Sequence, residues 1–164
     1  MISPPAAAQI EAPLPTIGAH ARAETGDLLQ RTLIEMIALS LIGKQLHWTI
    51  TGHQFRSFHL HLAELVDDWR KQADVVAERI AVIGLAPDGG APTVVEQSGI
   101  EAVPSGATQI PTAIRELVAR LAAVDQRVRE RIERLGEIDV TSQDVLIDVT
   151  RTLEHQLWTL RSQL

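Results

Sequence analysis

The sequence predicts an all-α fold, a four-helix bundle in which one of the three connections is much longer than the others. Three observations carry this. Apolar residues recur at helical spacing over four long stretches. A proline- and glycine-rich interval separates the second stretch from the third. The chain has no Tyr and only two Phe, a poor composition for an all-β protein. At 164 residues it is one domain's worth of chain.

Residues 1–24 read as an extended or flexible N-terminal arm, because Pro4, Pro5, Pro13 and Pro15 prevent a continuous helix. The bundle is expected over 25–164. The first helix is predicted over 25–48, with Thr25 as its N-cap, Asp27 in its first turn and Leu28, Leu29, Leu33, Met36 and Ile37 on one face. A turn around Gly52 leads to a second helix over 56–83, closed by Gly84. Residues 85–110 contain Pro87, Gly89, Gly90, Pro92, Gly99, Pro104 and Gly106, with room for a short helix near 94–97. Pro111 opens a third helix that ends near Gly136. A Thr141 or Ser142 cap opens the fourth. Short links make helices one and two, and three and four, antiparallel neighbours. The second helix is about 40 Å long at about 1.5 Å per residue. A linker of about 26 residues spans that length. This is the ferritin-like arrangement, with one long crossover carrying a short helix.

Composition limits the chemistry. With no Cys, disulfides, thiolate catalysis and cysteine-held metals are excluded, so any metal must be held by His, Asp and Glu. Fifteen Lys and Arg against 21 Asp and Glu give a net charge of −6, which suits attraction of cations better than a grip on nucleic acid. The longest apolar run, near residues 33–43, is interrupted by Glu35 and is about half a membrane span. With no basic region ahead of an apolar one at the N-terminus, a cytoplasmic protein is expected.

His47, His53, His59 and His61 fall close together, followed by Asp67, Asp68, Asp74 and Glu78. Imidazole with carboxylate suits iron, manganese or zinc. Asp74 and Glu78 are four apart and share one helix face. His59 lies about 22 Å from Asp74 along the same helix, so the two cannot hold one ion within a chain. His47 and His59 can converge across the Gly52 turn. A two-fold pairing of antiparallel second helices would bring His47 and His59 of one chain to Asp74 and Glu78 of another.

The stretch Lys44-Gln45-Leu46-His47-Trp48, with Gly52-x-x-Phe55, His59, Asp74-x-x-Ala77-Glu78-Arg79 and Gly84, resembles the signature of the Dps family, the miniferritins. Ser142-Gln143-Asp144-Val145-Leu146-Ile147 and Leu157-Trp158 resemble that family's last helix. The resemblance covers about residues 25–164. It implies a hollow homo-dodecamer that oxidises Fe²⁺ with hydrogen peroxide or O₂ and stores ferric mineral, at di-iron sites between two-fold-related subunits. His47 and His59 then match the family's histidine ligands, Asp74 and Glu78 the carboxylates of the neighbouring subunit, and Trp48 the aromatic beside the site. Asp144 is the best match to an acidic three-fold pore, with Asp139 and Asp148 as further candidates. Helix capping explains this acidic cluster equally well.

One position departs. The family usually has an acidic residue four after the second histidine, and here that residue is Ala63. Glu64 and His61 are rotated about 100° and 160° from it around the helix. The second metal position is therefore expected to be weak, and a Dps-like shell with weakened or lost ferroxidase activity is the alternative. A monomeric interaction module without metal is the third reading. DNA binding, the family's other activity, is doubtful. The only lysines are Lys44 and Lys71, and Glu130 and Glu133 interleave Arg127, Arg129, Arg131 and Arg134 in the pattern of a solvated, salt-bridged face. His20, His53 and His61 are expected at the surface or at caps, His155 is expected to be structural, and Trp69 and Trp158 are expected to be packing anchors.

Overall fold

The computed structural model describes residues 17–164. Its elements run α1 (Ala19–Thr49), β1 (Ile50–Thr51), α2 (Phe55–Val82), α3 (Ala91–Gln97), β2 (Thr108–Gln109), α4 (Ile110–Ile138) and α5 (Val140–Arg161). The four long helices form the expected all-α, ferritin-like bundle. The α1–α2 and α4–α5 pairs are the most extensively packed, and α3 sits within the crossover against α1.

The apolar stripes meet in one core. Leu29, Leu33, Met36, Leu39 and Leu46 of α1 pack with Phe58, Leu62, Trp69 and Ile80 of α2, Leu117 and Leu121 of α4, and Leu146, Val149 and Leu153 of α5. Trp69 is fully buried, as expected of an anchor, and its indole N–H donates to Gln156 Oε1 at 2.8 Å. That bond removes the cost of burying an unpaired donor.

Gly43 of α1 packs directly against this ring and Val66 of α2. A Cβ there would lie 2.6 Å from both Trp69 Cζ3 and Val66 Cγ2. Because both neighbours are held in the core, Gly43→Ala is expected to destabilise the protein by about 1–3 kcal/mol through overpacking, measurable as a lowered unfolding midpoint.

Three expectations are corrected. The first helix begins at Ala19, and Thr25 is buried inside it rather than capping it. The arm predicted over 1–24 lies outside the described residues up to residue 16, and from 19 onward it is helix. Ala19, Ala21, Arg22, Ala23 and Glu24 are strong helix formers, and Arg134 clasps Glu24. The fourth helix is capped by Asp139, whose side chain accepts from Thr141 N, and not by Thr141 or Ser142. A two-residue parallel pair, Ile50 with Thr108 and Thr51 with Gln109, was not foreseen. It ties the α1–α2 turn to the end of the crossover.

The crossover is clipped to α1 by one side chain. Gln30 Nε2 donates to Asp88 O at 2.6 Å, and Asp88 N donates to Gln30 Oε1 at 2.9 Å. No described helix is long and apolar enough to cross a membrane.

Candidate metal centre

The turn between α1 and α2 decides where two histidines go. Gly52 takes φ +120°, in the region that favours glycine, and Gln54 takes φ 63° just before α2 starts. A side chain at position 52 would also meet Gln109 Oε1 at 2.9 Å. The tight reversal lays the last turn of α1 against the first turns of α2.

His47 and His59 meet there as a stacked pair, ring centroids 3.6 Å apart and planes 23° apart. Each ring holds the other residue's backbone: His47 Nδ1 lies 3.0 Å from His59 O, and His59 Nδ1 lies 3.0 Å from His47 O. A carbonyl oxygen only accepts, so both Nδ1 atoms carry the proton. In a neutral ring with this tautomer Nε2 carries the lone pair with which imidazole binds a metal. Phe55, one turn before His59, stacks on its ring at 5.2 Å. Burial pushes the His47 imidazole below its ordinary value, helped by the nearby charges of His59 and Lys44 and opposed by its bond to the His59 carbonyl. His47 is therefore neutral at pH 7.

Asp74 and Glu78 lie at the other end of α2, exposed and one turn apart. Among the described residues neither carries an ion pair. One chain thus gathers the two histidines at one place and the two carboxylates at another. Among the described residues no three His, Asp or Glu side chains converge within the chain. Ala63 is half-buried on the His59 side of α2. His61 turns the other way, where Gln163 Nε2 donates to its Nδ1 at 3.1 Å and its ring meets the edge of Phe58.

Comparisons with known proteins identify the family of this bundle. Residues 26–164 match the family model described as a ferritin-like domain. The DNA protection during starvation protein of Mycolicibacterium smegmatis is 31% identical over 153 residues, covering 92% of this chain and 82% of that protein. The chain belongs to the Dps family of ferritin-like proteins. DNA protection during starvation protein 2 of Deinococcus radiodurans is 31% identical over 149 residues, and this chain spans 62% of its length. The solved tetragonal form of Mycobacterium smegmatis Dps superposes with a TM-score of 0.89 at 29% identity, covering 92% of this chain and 93% of that one. The Microbacterium arborescens Dps structure in its high iron form superposes with a TM-score of 0.86 at 32% identity, covering 92% and 97%.

Within this Dps bundle the acidic cluster near the α4–α5 turn divides. Asp139 is committed to structure: Arg79 Nη2 donates to its Oδ2 at 2.7 Å and Ser142 Oγ at 2.5 Å. Burial alone would raise its pKa, but the bonds from Ser142 and Arg79 outweigh burial and hold the carboxyl below the usual range. Its contribution to stability is present at neutral pH and is lost as pH falls below about 3.9. Asp144 is exposed, and Asp148 is exposed beside Arg151 Nη1 at 3.0 Å.

The arginines of α4 are not simply a solvated face. Arg131 is buried, donating to Glu35 Oε2 at 2.5 Å and to Thr32 Oγ1 at 3.0 Å, and Arg127 Nε donates to Glu35 Oε1 at 2.6 Å. Arg129 pairs with Asp125 and Glu154, and Arg134 with Glu24 and Glu137. Two further expectations are corrected. Trp158 is 65% exposed rather than buried as an anchor, and His155 is exposed beside it, ring centroids 5.6 Å apart. His20, on α1, and His53 are exposed, as expected. The packing role of Phe55 was not read from the sequence, although its position four residues before His59 puts both on one helix face.

Proposed function

We propose that this Dps chain is an iron-oxidising, iron-storing subunit, with Fe²⁺ as the substrate and hydrogen peroxide or O₂ as the oxidant. It works as a homo-oligomer, a dodecamer in which each site is shared across a two-fold axis. The observation that carries the reading is the histidine pair, whose Nδ1 atoms are engaged by backbone carbonyls, which leaves Nε2 of each ring as the ligand atom. His47 and His59 supply neutral nitrogen, and Asp74 and Glu78 of a second copy supply two negative charges against the charge of Fe²⁺. Their exposure and lack of ion pairs leave the two carboxylates free for that use. Asp144 is the pore candidate best placed to draw Fe²⁺ toward the shell's interior, as exposed carboxylates focus cations, and Asp148, paired with Arg151, is a weaker one. Asp139, held by Arg79, is the weakest pore candidate.

Ala63 supports a second reading, a shell whose ferroxidase activity is weakened. The second ion position has His59 and a share of Glu78 but lacks a carboxylate of its own. Anaerobic Fe²⁺ titration with ion counting separates the two. Ala63→Asp is expected to raise binding from about one firmly held Fe²⁺ per chain toward about two, and to speed oxidation, because the added carboxylate neutralises charge at the vacant ligand position. Unchanged stoichiometry and rate would refute the two-iron reading. The ion pairs of Arg127, Arg129, Arg131 and Arg134 support weak DNA affinity, since each of these four guanidinium groups already has a carboxylate.

A further inference from the structure

The turn that brings the two histidines together has little to hold it from within. Gly52 and Gln54 both lie in the left-handed region, and Gln54 is the only non-glycine residue there among those described. That backbone costs a residue with a side chain energy, and it persists where neighbouring structure fixes it. Gln54 is also the N-cap position of α2, and its side chain makes no capping bond.

Support comes instead from the far end of the crossover. Ile50 pairs with Thr108 and Thr51 with Gln109, and the burial of Ile50, Thr108 and Ile110 seats this short ladder on the core. The Gln109 side chain reaches past the ladder into the turn. Its Nε2 donates to Thr51 Oγ1 at 3.2 Å, between residues 58 apart in sequence. Its Oε1 lies 2.9 Å from where a Cβ at position 52 would be. The glycine that supplies the turn's φ therefore also makes room for this amide. Gln109 is the N-cap position of α4 but makes no capping bond there, so its side chain serves the turn and not its own helix.

We propose that Gln109 is a positioning residue for the histidine pair, a brace on the turn that sets how His47 and His59 stack. This rests on the metal-site reading and deepens it. Residues 50–54 alone join α1 to α2. Each histidine ring bonds the carbonyl of the other histidine, so a shift of one helix end against the other moves both rings. A metal site works when its ligand atoms are held to within about 0.5 Å. Thr51 and Gln109 are exposed and neither is a candidate ligand, so their bond acts on the site only through the turn.

The test uses the full, assembled, iron-free chain. Co²⁺, followed by its visible absorption, is the probe metal, and amide hydrogen exchange of the segment 47–59 reports on the turn. Gln109→Ala and Thr51→Val remove the same bond. Each is expected to weaken Co²⁺ binding by about 3–10-fold, the range to which one net hydrogen bond corresponds, and to speed exchange in the turn. The unfolding midpoint should hardly move, since both positions are exposed. The double variant should bind no more weakly than either single one, because the bond is lost only once. Thr51→Ser keeps the hydroxyl and should bind as the unmodified protein does. Unchanged Co²⁺ affinity in Gln109→Ala, with or without a lowered midpoint, would overturn the proposal, and so would additive losses in the double variant. An unmodified protein that binds no Co²⁺ would defeat the metal site alone. Exchange then decides the brace: faster exchange in Gln109→Ala sustains it, and unchanged exchange overturns it.

Discussion

Glu78→Ala is expected to remove nearly all ferrous oxidation while leaving the particle's mass and unfolding midpoint unchanged. Glu78 is exposed and holds no ion pair among the described residues, so its loss leaves no buried partner there without compensation. In the proposed site it serves both ion positions, and at the second it is the only carboxylate, because Ala63 cannot supply one. Changing groups that merely orient ligands typically costs about 10–100-fold in metal affinity or activity. Loss of a ligand shared by both positions is expected to exceed the upper end of that range. Stopped-flow oxidation of Fe²⁺ with peroxide measures it. A variant retaining more than about a tenth of the rate, at the weak end of that range, would remove Glu78 from the site.

The largest expected effect on stability comes from the opposite side of α1. Glu35 is 3% exposed and is held by Arg127 and Arg131, with Thr32 satisfying a further Arg131 donor. Glu35→Leu leaves the buried Arg131 without its carboxylate. Breaking a buried pair from one side costs about 3–5 kcal/mol. At about 2–4 °C per kcal/mol for a chain of this size, the unfolding midpoint should fall by about 10 °C. Arg127 is partly exposed and can turn to water, so most of the loss is assigned to Arg131. Glu35→Leu combined with Arg131→Met removes both charges and is expected to recover most of the stability. A double variant no better than the single one would show that the guanidinium is not what the carboxylate compensates.

The contrast between these two residues shows what the sequence could reveal. The helical stripes were legible because burial repeats along each helix, as from Leu29 to Leu46 on α1. The histidine pair was legible because the Gly52 turn is short enough to leave few ways for His47 and His59 to sit. The role of Arg131 was not legible. Arg127, Arg129, Arg131 and Arg134 alternate with Glu130 and Glu133 in a pattern shared by many solvated helices, and nothing local says that positions 127 and 131 face Glu35 about 95 residues earlier. Asp139 was likewise read as one of several acids until Arg79 and Ser142 were found around it. The β1–β2 pair is too short for any periodicity, and the helix at residues 19–24 was hidden by its nearness to the prolines that precede it.

The central claim is that one catalytic site needs two chains. Two variants divide the ligands: one with His47→Ala and His59→Ala, the other with Asp74→Ala and Glu78→Ala. Each alone should assemble and fail to oxidise Fe²⁺. In a mixed two-fold pair, one of the two sites regains all four ligands and the other has none. Random co-assembly of the two chains in equal amounts should therefore restore about a quarter of the unmodified protein's rate. The co-expressed, purified mixture, assayed for Fe²⁺ oxidation beside each variant alone, gives the answer. Recovery near that level is the predicted result, and a mixed assembly as inactive as its separate components would contradict a site shared between subunits.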